Sequence, residues 1–217
     1  MKRAILSCLS LMLLLGSCVK EPAPVPVGEA KVRFVNAGLG SSAQDCYVNS
    51  DKKNSGGLVY GESTPSYTFT SGGTDFLFTN QGATTINART SEIVPIGASY
   101  SVFYLQNSSG AASAALASED NAVVEGKAKV RFIHLNIFLT ASIKIANEAG
   151  TVLTDGVGVV QSTSYYTVDP GTKFVLTATG VTAPPLVDAH LIAGKNYTVW
   201  FSGSSATDLT YYTILQN

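Results

Sequence analysis

Charge is scarce in this sequence. Lys, Arg, Asp and Glu make up 13% of its 217 residues, with 14 basic against 15 acidic side chains. No basic field exists to hold nucleic acid, so none is expected as a partner. Histidine and cysteine are scarcer, at 2 and 3. That is too few for a disulfide framework or a metal site, and no cofactor is expected. Beyond the first residues, no long segment has a 3.6-residue apolar period, which argues against a helical body. No second run of about 18 apolar residues occurs, which argues against a spanning helix. Apolar residues are abundant at 45%, more than a chain that stays disordered would carry. Gly 20, Tyr 10 and Phe 9, with frequent Thr, Ser and Val, favour strands and turns.

The chain opens like a targeting segment. Met1-Lys2-Arg3 is basic, and Ala4 to Leu15 is an apolar run of 12 residues, too short to span a bilayer. Leu15-Gly16-Ser17-Cys18 follows. Small residues before a cysteine resemble the bacterial lipobox, where the thiol is diacylated and becomes the new N-terminus after cleavage. An ordinary signal peptide with an incidental cysteine is the alternative. Residues 1–17 are thus expected to be a lipoprotein signal peptide, with Cys8 discarded and Cys18 lipidated. Two acyl chains hold a protein stably, at ~0.8 kcal/mol per buried CH₂. What remains carries 12 basic and 15 acidic residues, net −3. Residues 18–29 read as a tether. Glu21-Pro22-Ala23-Pro24-Val25-Pro26-Val27-Gly28 alternates proline and favours polyproline II, reaching ~25 Å. Val19-Lys20-Glu21 resembles the Lys-acidic signal of surface-exposed Bacteroidetes lipoproteins. The expected location is the cell envelope, lipid-anchored at the outer membrane on its surface or periplasmic face.

The body reads as one unit written twice. Ala30-Lys31-Val32-Arg33-Phe34-Val35 recurs 98 residues later as Ala128-Lys129-Val130-Arg131-Phe132-Ile133. At the same shift Tyr67 meets Tyr165, Gly73-Thr74 meets Gly171-Thr172, and Gly82 meets Gly180. With one residue deleted, Tyr100-Ser101-Val102-Phe103-Tyr104 meets Tyr197-Thr198-Val199-Trp200-Phe201. A tandem duplication is expected, with domains at 30–122 and 127–217 joined by a short polar link.

Within each copy the period is two. Val32 and Phe34 face one side, Lys31 and Arg33 the other, and Val130, Phe132, Lys129 and Arg131 repeat this. Turn signals separate the runs, as in Ser71-Gly72-Gly73 and Asp169-Pro170-Gly171. About seven short strands per copy suit an all-β fold of two tandem immunoglobulin-like Greek-key β-sandwiches. The Cys…Trp…Cys pattern of antibody domains is absent, so the likeness would be architectural only.

The paired Ala-Lys-Val-Arg-Phe openings are each followed by a short strand, Asp45–Asn49 and Ser142–Ala146. Together with Gly194-Lys195-Asn196-Tyr197-Thr198-Val199 and its counterpart Gly97–Val102, they resemble the bacterial domain of unknown function 4397, over residues 30 to 217. That family is common in Bacteroidetes lipoproteins. It typically has a His near the end of the first strand; His134 keeps that place and Asn36 replaces it in the first copy. The resemblance implies a cell-envelope module for adhesion, binding or surface architecture, and no active site to carry over.

Candidate chemistry is sparse. Cys46 matches Ile143 and is expected in the core, without the cation a reactive thiol needs. His134 falls on the core parity and His190 matches Ile93, so neither suggests a metal ligand. Ser50-Asp51-Lys52-Lys53 fits S-x-x-K by letters but lies on a turn without the companion motifs. No G-x-S-x-G, P-loop or H-E-x-x-H occurs. Aromatics give the best binding hint. Phe103 and Trp200 fall opposite the core parity among Ser101, Thr198 and Ser202, and Tyr47 has similar parity. They could contact a glycan or protein partner, or the face could be covered by the other domain or a loop. The expected function is a non-catalytic envelope lipoprotein with a structural, adhesive or binding role. The alternatives are an accessory glycan-binding lipoprotein of a nutrient-uptake system and an envelope hydrolase.

Overall fold

The computed structural model describes residues 26–217; the signal-like segment and Cys18 lie outside the described residues. Every regular element described is a strand. The N-terminal half contributes β1 (Glu29–Asn36), β2 (Gln44–Val48), β3 (Asp51–Lys52), β4 (Tyr67–Thr70), β5 (Gly72–Asn80), β6 (Ile86–Val94), β7 (Ser99–Gln106) and β8 (Ala112–Ser118). They form two four-stranded sheets, ordered β4-β1-β7-β8 and β3-β2-β5-β6. The first strand runs parallel to β7, Val32 facing Tyr100, and antiparallel to β4. The chain is fixed from the end of the tether onward, because Gly28 N–H donates to Ser71 Oγ at 2.9 Å and Ser71 N–H returns a bond to the Gly28 carbonyl.

The C-terminal half repeats the pairing scheme with β9 (Ala128–His134), β10 (Ile143–Asn147), β11 (Val152–Val157), β12 (Gln161–Ser162), β13 (Tyr166–Val168), β14 (Phe174–Thr177), β15 (Asn196–Ser202) and β16 (Thr210–Leu215). One sheet is ordered β12-β9-β15-β16 with β13 also on β9, the other β11-β10-β14. Here β9 is parallel to β15, as β1 is to β7. The strand equivalent to β6 is missing. Its place is taken by irregular chain through Pro184 and Pro185, with one bridge between Phe174 and Val187. Proline has no N–H for a ladder bond, so two in a row prevent a strand there. Gly97 and Gly194, equivalent in the repeat, turn the chain into β7 and β15 with φ of 78° and 73°. Each donates its N–H to the residue entering the first strand of its half, Glu29 and Lys127, at 2.7 Å. A side chain there would be strained in the left-handed region.

Each half encloses its own core. Phe34 meets Phe78 edge-on at 5.5 Å in the first, and Phe132 meets Phe174 at 4.9 Å in the second. A third cluster draws on both halves: Val35, Phe103 and Leu105 from one, Ile133, Trp200 and Ile214 from the other. These lie on the faces that strand parity turns away from each core, so β1, β7, β9 and β15 are buried on both sides.

The seam is arranged about an approximate twofold relation. Phe103 and Trp200 are equivalent in the repeat, and they meet each other edge-on at 6.5 Å. Arg33 donates from Nη1 to the Leu215 carbonyl at 2.6 Å. Its equivalent, Arg131, donates to the Ser118 carbonyl, and residues 118 and 215 are themselves equivalent. Such reciprocity, in which residue i contacts j and j contacts i, is the signature of an isologous interface. Tyr60 adds a one-sided bond from its hydroxyl to Ser202 Oγ at 2.9 Å.

The histidine at the end of β9 is a loop latch. His134 is fully buried. Its Nε2 lies 3.0 Å from the Leu139 carbonyl, which can only accept, so Nε2 carries the proton and Nδ1 takes the Asn136 N–H at 3.3 Å. Asn36 does the same work in the first half, donating to the Leu58 carbonyl at 3.0 Å and accepting from Gly38 N–H. Burial lowers the His134 pKa below its ordinary 6.5, against the two carbonyls that support its charge. The unfolded chain therefore binds a proton below about pH 6.5 that the folded chain refuses. His134 is expected to contribute fully above pH 6.5 and to cost stability as pH falls below it, with a slope approaching ~1.4 kcal/mol per pH unit. Urea midpoints between pH 7 and pH 5 should show this slope, and His134→Asn should flatten it.

Candidate functional site

An open groove of about 790 Å³ lies where the end of β8 passes into β9. One wall is Ser118, Glu119 and Asp120; β9 supplies Lys129 and Arg131; the stretch from β12 to β13 adds Ser162, Ser164 and Tyr165. The groove thus lies at the junction of the halves.

Arg131 is one of its lining residues. Sequence parity turns it away from the core of its own half, yet it is 3% exposed because the seam covers it. Nε donates to Thr198 Oγ1 at 2.8 Å and Nη1 to the Ser118 carbonyl. Nη2 is buried without a hydrogen-bond partner among the described residues. Desolvation works against the guanidinium charge, and nearby Glu119 supports it. Tyr165 braces the cations, its ring 5.1 Å from the Arg131 guanidinium carbon and 5.4 Å from Lys129 Nζ. Its hydroxyl donates to Gln216 Oε1 at 2.7 Å, and Gln216 donates to Thr198 at 2.9 Å. Burial raises the phenol's pKa, which keeps it a neutral donor.

The acids are arranged differently. Asp120 is ion-paired with Lys129 and accepts from Ala122 N–H at 2.9 Å; the Lys129 bond, with the Ala122 bond next, holds its carboxyl below the usual range. Glu119 accepts from Ser101 Oγ at 2.5 Å, which occupies one of the roughly four acceptor positions a carboxylate offers.

The residues singled out in the sequence are not brought together here. Trp200 and Phe103 are 1% exposed, packed in the seam, so the expectation that they offer a surface contact is corrected. Their parity away from each core is as read; the face is covered by the other half. Tyr47 stands alone, half-exposed on β2, between Leu77 and Lys52. Cys46 is fully buried in the first core, where desolvation pushes its thiol far up and holds it protonated. Cys18 lies outside the described residues. Arg131, Tyr165 and Glu119 were not expected as site residues. The available signal was apolar character on both faces of one strand: Ile133 beside Arg131 and Trp200 beside Thr198 mark a strand buried on both sides.

Fold and groove together define an all-β sandwich protein with a polar cleft at the seam of its halves. The model of the family described as "Domain of unknown function (DUF4397)" matches residues 30–141. That is more than half of the chain, and the chain belongs to this family. The match runs from the second residue of β1 to the loop before β10. No curated protein matches the chain. Among solved structures it is similar to CBMbc, a family CBM26 module of Eubacterium rectale Amy13K in complex with maltoheptaose. Identity is 10%, coverage is 85% of this chain and 96% of that one, and the TM-score is 0.29. At that distance the likeness says nothing about a ligand for this chain.

Proposed function

We propose that this chain is a lipid-anchored, non-catalytic binding protein of the cell envelope, made of two tandem sandwich domains at residues 30–122 and 127–217. The observation that carries the binding role is the open groove at the junction of the halves, lined by Glu119, Asp120, Lys129, Arg131 and the hydroxyls of Ser162 and Ser164. A lipobox-like Leu15–Cys18 and a proline-rich tether support anchoring at the outer membrane. The lining of the groove pairs its hydroxyls with neither imidazole nor thiol among the described residues, which suits binding better than nucleophilic turnover. The reciprocal seam supports a body whose halves move as one, as a structural or adhesive module at a surface requires. A glycan-binding role through Trp200 and Phe103 loses its site.

Cys18→Ala tests the anchor. Wild-type protein should take up labelled palmitate and sediment with membranes, and the variant should lose the label and appear in the soluble fraction. Retention of label and membrane association by the variant would overturn the anchoring.

A further inference from the structure

We infer that the end of the body from which the tether leaves rests on the lipid bilayer, with exposed aliphatic side chains of both halves dipping into its surface. This rests on the anchoring proposed above and names the surface that the body meets. The first ground is topology, which brings one end of each half together. Gly97 donates to the Glu29 carbonyl at the start of β1, and Gly194 to the Lys127 carbonyl just before β9. The end of β8 lies beside the start of β7, since Ser118 pairs with Tyr100 and Glu119 N–H donates to the Ser99 carbonyl at 2.7 Å. The link then meets the start of β15, where Asn196 Nδ2 donates to the Asp120 carbonyl at 2.6 Å. The starts of β1, β7, β9 and β15 and the link between the halves thus share one end of the molecule.

The second ground is what that end displays. Val27, Ile93 and Ile96 on the first half and Val123 and Ile192 on the second are each more than half exposed. Ile93 faces Gly73 across the sheet, Val27 passes beside Gly72, Ile96 beside Gly28 and Val123 beside Gly194. Each of these four therefore has a neighbour with no side chain to cover it. Ile192 stands in the turn that leads into β15, where its carbonyl accepts from Lys195 N–H. Exposed apolar patches mark a partner or a membrane. The charges around these residues are mixed in sign, with Glu29, Glu92 and Glu125 against Lys127 and Lys195. The contact is therefore apolar, scaling with the area removed from water and not with lipid charge.

The third ground is the length of chain that leads here. Val27 stands nine residues after Cys18, and nine fully extended residues span at most about 32 Å. An acylated Cys18 keeps this end within that reach of the bilayer. Tethering at so short a range gives a high effective concentration, at which a weak apolar contact suffices. The loops at 107–111 and 203–208 follow the far ends of β7 and β15, roughly 25 Å further along the strands.

The test is amide hydrogen exchange on the chain from Cys18 onward, held on phosphatidylcholine vesicles in two ways: by its own acylation, and by coupling the Cys18 thiol to a maleimide lipid. Cys46 is fully buried, so the coupling goes to Cys18. Exchange at 93–96, 121–126 and 191–193 should slow relative to the unacylated, uncoupled chain in solution, and exchange at 107–111 and 203–208 should stay the same. Ile93→Ser, Ile96→Ser and Ile192→Ser made together should abolish the slowing. The three side chains are exposed, so this variant should keep the wild-type melting midpoint, and the wild-type comparison stands without it. Equal exchange on and off the vesicles overturns the inference, as does slowing that the triple variant retains. Slowing that vanishes when the protein is diluted on the vesicle assigns the patch to a second copy and overturns it too. Failure of the anchoring shows separately: the chain would take up no labelled palmitate, while the maleimide-coupled chain would still report whether this end meets the lipid.

Discussion

Trp200→Ala is expected to destabilise the protein by about 3–5 kcal/mol, the range for removing a large buried aromatic. The indole is 1% exposed and stacks on Tyr212 with ring centroids 4.2 Å apart and planes 13° from parallel. Phe103 meets it edge-on from the other half, and Tyr60 does so at 6.4 Å. None of these contacts belongs to the core of either half. The variant should therefore loosen the seam first. Urea unfolding followed by far-UV circular dichroism should split from one transition toward two, as coupling between the halves is lost. A single transition within about 1 kcal/mol of wild type would show that the seam contributes little.

Phe132→Ala should cost a similar ~3–5 kcal/mol by a different route. Phe132 is fully buried, edge-on to Phe174 and stacked on Phe201 at 6.0 Å. Its loss opens a cavity in the C-terminal core itself, so that half should unfold early. The chain has a single tryptophan, and it sits in the seam on β15. Its emission should shift to the red with this early transition. An unchanged midpoint for the emission change would contradict the placement of Phe132 at the centre of that core.

Much of the fold is legible because its causes are local. Alternation in Ala128–Ile133 specifies a strand with one apolar face, and the glycines before β7 and β15 specify turns that only glycine enters without strain. Cys46 could be placed in the core from its Ile143 counterpart. The strand that Pro184 and Pro185 abolish was also readable in principle, since a missing N–H is a property of the residue itself. His134 was read as a core residue, but its role as a latch was not, because its carbonyl partners come from the loop that it holds.

The site was much less legible. Lys129 and Arg131 look like solvated charges on the outer face of a strand, and Trp200 and Phe103 look like exposed aromatics among hydroxyls. Both readings fail for one reason. Strand period two says which side chains share a face; it does not say what lies against that face. The hydrophobic pattern of β9 and β15 is satisfied twice, once by the core of their own half and once by the other half, and the second contact joins residues about 97 positions apart. The approach of Arg131 to Ser118 and Glu119 has the same origin.

Strand content, turn positions, the 98-residue repeat and family membership therefore reside in the sequence alone, because each depends on residue identity and on spacing along the chain. The seam, the burial of Trp200 and the groove around Arg131 exist only once two faces of similar pattern meet. That meeting depends on shape and desolvation across space, which period and composition do not encode.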